Sequence, residues 1–209
     1  MLCIYTGCAS IKSIKNSGDP YYGGTLKDTF HIWNKTAKIY MGFDLKLKVS
    51  ATFKSQQFRN AYTKEYIRLY NLTPKEKKKL IADQHNAATT YNDFIMAVFT
   101  PDNKLNDFDK ACSIWKIHLQ MEKQKKIAPI EIRKIKKTDA VINHFFPYTN
   151  PWNILYLVRF PINYHGTSTP VISHKASAVK ISIASVLGSC NMTWSISQQI
   201  KAEHSESKI

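Results

Sequence analysis

The side chains best suited to covalent or metal chemistry are four cysteines and seven histidines. Cys112 and His118 could form a nucleophile and its base, but they lie six residues apart, with His118 in a predicted strand and Cys112 immediately before it. At strand spacing that separation is roughly 20 Å, so the two side chains could not meet. The chain has no CxxC pair, and its cysteines and histidines lack zinc-site spacing. The sequence therefore predicts neither a cysteine nucleophile nor a metal centre.

A second group of candidate ligands is the oxygen-rich loop over residues 102–109. Its donors are Asp102, Asn103, Asn106, Asp107 and Asp109. A calcium loop needs donors at alternating positions and a closing glutamate, so this loop is predicted to be a surface turn. The sequence also has no glycine-rich phosphate loop, serine nucleophile elbow or HExxH helix. We expect a non-enzymatic protein without a cofactor; an enzyme with scattered catalytic residues stays open.

The overall charge points to an anionic partner or to a solvated surface. Thirty basic residues face fifteen acidic ones, for a formal net charge of +15. Lysine supplies 26 of the basic residues and arginine four. Arginine is favoured where bases or phosphates are read by bidentate contacts. The lysine excess therefore fits a solvated face as well as it fits nucleic acid or an anionic membrane.

The densest basic segment lies at residues 123–137 and carries a single acid, Glu131. Its basic residues are Lys123, Lys125, Lys126, Arg133, Lys134, Lys136 and Lys137. Aromatic residues follow it: Phe145, Phe146, Tyr148 and Trp152. Such a segment could neutralise lipid headgroups or bind nucleic acid through phosphate contacts and stacking. It could also be a strand edge that lysines protect from aggregation.

Cys8 carries the one resemblance to a known class of protein. The small residues Thr6 and Gly7 precede it, and Ala9 and Ser10 follow it. This segment resembles the lipobox of bacterial lipoproteins, although Tyr5 stands where an aliphatic residue is usual. The resemblance implies that Cys8 carries a diacylglyceryl group with palmitate-type chains and becomes the mature N-terminus. Because no aspartate follows Ala9, it also implies a periplasm-facing position at the outer membrane of the bacterial cell envelope.

The chain is accordingly divided into four segments. Residues 1–8 are interpreted as a truncated signal peptide with its lipobox, and residues 9–29, rich in small and polar residues, as a tether. Residues 30–197 form a single β-rich domain, and residues 198–209 a flexible tail. Within the domain Cys112 and Cys190 could form a disulfide in an oxidising periplasm or remain buried free thiols.

Hydrophobic periodicity predicts one long strand and then two helices. Apolar residues alternate over residues 38–53, which favours a single half-buried strand with Phe43 on its apolar face. Helical spacing over residues 55–70 places an aromatic stripe against the core. Thr73-Pro74-Lys75-Glu76 opens a second helix with a capping box. Its predicted buried residues are Leu80, Ile81, Gln84, Ala88 and Tyr91.

The remaining chain predicts mostly strands. They span residues 94–99, 113–122, 127–135 and 153–160, with a short helix from Thr138 to Phe145. A terminal hairpin is predicted around a turn at Gly188-Ser189. A strand, a helical pair and then several strands do not form a βαβ alternation. The predicted fold class is α+β: an antiparallel sheet or sandwich with an inserted αα-hairpin.

The functional expectation is a lipid-anchored envelope protein with a non-catalytic binding or structural role. Its partners would be the membrane, envelope proteins or anionic lipid headgroups. The alternative is a cytoplasmic nucleic-acid-binding module that uses the basic segment at residues 123–137.

Overall fold

The computed structural model describes residues 24–121, 125–136, 140–173 and 176–196. These residues form an α+β domain of helices and antiparallel strands, as predicted. The helices are α1 (Gly24–Trp33), α2 (Gln56–Tyr70), α3 (Pro74–Thr90) and α4 (Ala140–Phe145). The strands are β1 (Asn34–Met41), β2 (Asp44–Phe53), β3 (Tyr91–Phe99), β4 (Lys116–Met121), β5 (Glu131–Ile135), β6 (Ile154–Pro161), β7 (Ala178–Ser185) and β8 (Gly188–Ser195).

The strands form two antiparallel sheets that enclose the core. The larger sheet has the order β1-β2-β3-β6-β5, and the smaller has the order β4-β7-β8. Alternate residues of each strand point into the space between the sheets. Phe94 and Trp194 meet there at a ring distance of 5.2 Å, and both are fully buried. Burying such large apolar side chains drives the two sheets together.

The helices cover the other face of the larger sheet. Arg59 of α2 reaches the sheet and donates to Asp93 of β3. Phe145 at the end of α4 packs against Tyr62 of α2, with ring centroids 4.2 Å apart. The Tyr148 hydroxyl lies 3.0 Å from the Ile95 carbonyl oxygen, so the segment after α4 is also tied to this face.

Four connections lie at the same end of the domain, which we call the loop end. The β1–β2 turn lies there, and the pairing of Val98 with Val49 and Ile154 brings the end of β3 and the start of β6 beside it. The loop end comprises residues 42–43, 100–115, 146–153 and 186–187. The first and last are two-residue turns, and Phe43 and Leu187 border a common hollow.

The predicted strand over residues 38–53 is wrong, because the chain turns at Gly42 and Phe43 to form β1 and β2. Gly42 has φ +60°, as the first central residue of a type II′ hairpin turn requires. Phe43 is consequently at the tip of a turn and fully exposed. The alternation continues across the turn, so periodicity alone could not reveal it.

The αα-hairpin is confirmed, and α3 begins with the predicted capping box. The Ser55 hydroxyl accepts from the Phe58 amide, and Thr73 and Glu76 form a reciprocal capping box. The predicted burial of α3 is wrong: none of its residues is buried, and Ile81 is 53% exposed. Tyr91 belongs to β3 instead, so α3 lies on the surface with one half-buried side.

Two further boundaries differ from the prediction. Residues 24–29 were assigned to the tether, but they belong to α1, and Leu26 is buried. The terminal hairpin turns at Val186 and Leu187, two residues before the predicted Gly188-Ser189 turn. The predicted signal segment at residues 1–8 and the tail at 198–209 lie outside the described residues, as does most of the tether.

Candidate functional site

The basic segment at residues 123–137 does not form one surface within the described residues. Lys125 and Lys126 are exposed and precede Ile127, which pairs with Leu119 of β4. Lys136 is exposed at the other end of the segment, immediately after β5. Lys123 and Lys137 lie outside the described residues. The segment therefore separates into one group beside the smaller sheet and one near the loop end.

The two central basic residues of this segment are engaged in ion pairs. Arg133 Nε lies 2.9 Å from Glu131 Oε1, and Lys134 Nζ lies 3.2 Å from Asp109 Oδ1. Because successive residues of a strand point to opposite faces, Arg133 and Lys134 do not share a face of β5. Of the two, Lys134 faces the hollow bordered by Trp152.

The most exposed apolar side chains of the described domain lie at the loop end. Phe43 is fully exposed, Val186 is 87% exposed and Trp152 is 77% exposed. Each occupies the tip of a different connection. A large aromatic side chain held in water at a turn has no role in the core, and exposed apolar patches are typical of interaction sites. The other three tryptophans, Trp33, Trp115 and Trp194, are buried.

Three shallow hollows join these tips into one surface. The first, of about 640 Å³, is bordered by Lys48 and Trp152; the second, of about 540 Å³, by Phe43 and Leu187; the third, of about 680 Å³, by Lys134 and Trp152. Phe99, the last residue of β3, lines all three. The hollows bordered by Phe43 and by Trp152 therefore adjoin one another at Phe99.

Lysines surround this apolar end. Lys48, Lys104 and Lys136 are exposed, whereas Lys46 is tied to Asp44 at 3.2 Å. Lysine stems can lie along apolar surface while their ammonium groups stay in water. The combination of exposed aromatic tips and flanking ammonium groups suits a partner with an apolar layer beneath a layer of negative charge.

A buried charged cluster lies at the opposite end of the larger sheet. Asp93 accepts from Arg59 and from Arg159, each at 2.9 Å, and Arg159 also donates to Glu131 at 2.8 Å. Asp93 and Arg59 are both almost completely buried. The Tyr91 ring lies 4.3 Å beneath the Arg159 guanidinium carbon. Because these partners satisfy one another, the cluster holds α2 on the sheet.

Lys54 borders this cluster and is its most perturbed cation. The pKa of Lys54 is lowered from 10.5 to about 8, mainly by burial and also by the positive charge of Arg59, whereas Asp93 opposes the shift. Its ammonium group lies 5.9 Å from the centre of the Tyr62 ring. A lysine with so low a pKa is partly neutral near physiological pH.

The two cysteines in the described part of the chain are free. Cys112 is exposed in the loop after β3, whereas Cys190 is buried in β8. Burial raises the pKa of the Cys190 thiol to about 11, so it is a poor nucleophile. Within the described residues, no three His, Cys, Asp or Glu side chains are grouped so that they could hold a metal ion. No helix in that part of the chain is long and apolar enough to cross a membrane.

Comparisons with protein-family models, with curated proteins and with solved structures found no match to this chain.

Sequence reasoning identified part of the loop end and missed the rest. Trp152 was noted as an aromatic residue following the basic segment, and the structure brings it beside Lys134. Phe43 was assigned to a buried strand face, although the Gly42-Phe43 pair is a known form of hairpin turn. Asp93 could have been recognised as a lone acid beside an apolar strand. An acid that is buried there requires a cation as its partner.

Proposed function

We propose that this protein is a non-catalytic, lipid-anchored envelope protein whose domain docks on an anionic membrane surface through its loop end. The observation that carries the proposal is the exposure of Phe43, Val186 and Trp152 on three neighbouring tips around Phe99. An acylated Cys8 would hold the protein at the membrane. The loop end would fix how the domain faces the lipid.

The energetics of the loop end support this mode of binding. Moving one Phe side chain out of water contributes about 1.5–3 kcal/mol, and Phe43 has no protein surface to cover it. Trp152 has the amphipathic ring that membrane interfaces favour. Each lysine near an anionic bilayer adds about 1 kcal/mol, and Lys48, Lys104 and Lys136 are free to approach one.

The test uses the intrinsic fluorescence of the unacylated full chain with vesicles. Trp152 is the one exposed tryptophan among the four, so acrylamide quenching reports mainly on its surroundings. With phosphatidylglycerol vesicles we expect a blue shift in emission and loss of quenching. Phosphatidylcholine vesicles should give a much weaker response, because they lack the negative surface charge.

Phe43→Ser and Ile81→Ser form a matched pair of variants. Both remove an exposed apolar side chain, but Ile81 lies on α3, away from the loop-end turns. Phe43→Ser should weaken vesicle binding roughly tenfold or more, given the burial energy of one Phe. Ile81→Ser should leave binding unchanged. Equal effects of the two variants, or equal binding to both kinds of vesicle, would refute docking through the loop end.

A second candidate function is single-stranded nucleic-acid binding, because Lys134 and Trp152 line the same hollow. Phosphate neutralisation and base stacking need this pairing. Salt-sensitive binding of an oligonucleotide that is lost in Lys134→Gln/Lys136→Gln would support it. Binding to anionic vesicles without oligonucleotide binding would exclude it in favour of the membrane proposal.

The anchor has its own test, which does not depend on the loop end. Intact-mass analysis of the protein from its native host should find Cys8 as an acylated N-terminus. A mass that includes residues 1–7 with an unmodified Cys8 would overturn the lipid anchor.

A further inference from the structure

One of the three hollows carries polar features that membrane docking alone does not need. It lies on the helix-covered face of the larger sheet, where the sheet extends beyond the helices towards the loop end. Its floor is formed by Ala97 and Phe99 of β3, and its rim by Lys48, Thr149, Asn150 and Trp152. At about 640 Å³ it is within the size range of small-ligand pockets.

Lys48, at the rim of this hollow, faces a like charge on the neighbouring strand. Lys38 of β1 is the direct cross-strand partner of Lys48 of β2. Both lysines are exposed, and neither forms an ion pair within the described residues. Like charges at directly opposed positions destabilise a sheet. An anion between the two ammonium groups would relieve this repulsion.

Thr149 supplies a hydroxyl group whose hydrogen-bonding capacity is unused. Its Oγ1 is the one buried side-chain polar atom without a hydrogen-bond partner among the described residues. Leaving a buried hydroxyl unpaired is unfavourable, because the hydrogen bonds it makes to water in the unfolded chain are not replaced. Because Thr149 lines the hollow, a rotation about its χ1 angle would let this hydroxyl bond to a ligand there.

The segment that carries Trp152 is held in place before any ligand binds. The side-chain amide of Asn153 donates to the Tyr148 carbonyl at 2.8 Å. The backbone amide of Trp152 donates to the Asn150 side-chain oxygen at 3.0 Å. The Tyr148 hydroxyl is in turn anchored to the sheet. A binding wall that is already ordered loses little conformational entropy when it binds a ligand.

We propose that this hollow is a binding site for a phosphorylated sugar ring. Lys38 and Lys48 would hold the phosphate, Thr149 and the Asn150 amide would bond to ring hydroxyls, and the indole of Trp152 would cover the C–H face of the ring. The proposal rests on the proposed function, since the ring would be the headgroup of a lipid in the bound membrane. A free sugar phosphate offers the same chemistry and is the other source.

The experiment titrates glucose 6-phosphate into the full chain and follows Trp152 emission. We expect a saturable change that glucose or inorganic phosphate alone reproduces at least tenfold more weakly. Lys48→Gln should weaken binding at least tenfold, whereas the matched variant Lys78→Gln, at an exposed lysine of α3 that does not line this hollow, should not. Thr149→Val should weaken binding without lowering the midpoint of urea unfolding.

The outcomes separate this site from membrane docking. Vesicle binding without a glucose 6-phosphate response, or a response that Lys48→Gln leaves unchanged, would overturn the site and leave the proposed function intact. A preference for phosphatidylinositol over phosphatidylglycerol vesicles at equal mole fraction would identify a lipid headgroup as the ligand. A glucose 6-phosphate response without that preference would identify a free sugar phosphate. Tighter binding of an oligonucleotide than of glucose 6-phosphate would overturn the site in favour of nucleic acid.

Discussion

Asp93 is the residue whose replacement should most damage the fold. It lies directly opposite Arg159 in the pairing of β3 with β6, and Arg159 lies opposite Glu131 of β5. Arg59 approaches the same carboxylate from α2. The substitution Asp93→Asn keeps the shape of the side chain and removes its charge.

The expected loss in the free energy of unfolding follows from the two arginines that Asp93 neutralises in the native protein. Arg159 keeps Glu131 at 2.8 Å and is partly exposed, so it loses little. Arg59 is 1% exposed, and Asp93 is the one carboxylate to which it donates among the described residues, so Asp93→Asn leaves it an unpaired buried charge. Removing one partner of a buried ion pair costs about 3–5 kcal/mol. That is a large fraction of the stability of an ordinary domain.

Urea unfolding, followed by the fluorescence of the buried tryptophans, measures this cost. Glu131→Gln is the matched control: it also removes one carboxylate from Arg159, but Glu131 is 35% exposed, so the expected loss is about 0–1 kcal/mol. Adding Arg59→Met to Asp93→Asn should recover most of the stability, because the unpaired charge is gone. A loss below about 1 kcal/mol for Asp93→Asn, or no recovery in the double variant, would refute the reasoning.

Three further predictions concern stability. Since the pKa of Lys54 falls from 10.5 to about 8 on folding, the native state should gain stability as pH rises through that range. Lys54→Met should abolish this gain and raise the free energy of unfolding at pH 7 by up to about 3 kcal/mol. Urea unfolding across pH measures both effects. Thr73→Ala should cost about 1 kcal/mol through the lost capping box, seen as a lower urea midpoint. Gly188→Ala should lower the melting temperature, because φ is +125° and a Cβ would lie 2.7 Å from Ile39 Cγ2.

The elements that sequence could predict are those with local signals. Helix α2 begins after Ser55 and α3 after Thr73, because side-chain caps act within three residues. The β1–β2 turn could not be predicted from periodicity, because a two-residue loop preserves the alternation of apolar residues on both sides of it. The surface position of α3 could not be predicted either, since the spacing of its apolar residues does not reveal how closely α3 packs against the larger sheet.

The candidate sites depend on contacts between distant parts of the chain. Arg59 and Asp93 are 34 residues apart, and Arg159 is 66 residues beyond Asp93. Phe99 and Trp152 become neighbours only through the pairing of β3 with β6. No periodicity encodes such a pairing, so the sequence could indicate that Asp93 needs a cation but not which one.

The two kinds of basic residue have separate roles in this domain. All four arginines pair with carboxylates, as in the bidentate contact of Arg68 with Glu65 and the cluster around Asp93. Arginine suits these positions because its planar fork satisfies two oxygens at once. Arg68 and Arg133 are more than half exposed but paired, so the exposed positive charge that no carboxylate neutralises in the described domain is carried by lysine, a compact and strongly hydrated cation. Such a surface attracts anions without reading their shape, so any selectivity must come from ordered features such as Trp152 and Thr149.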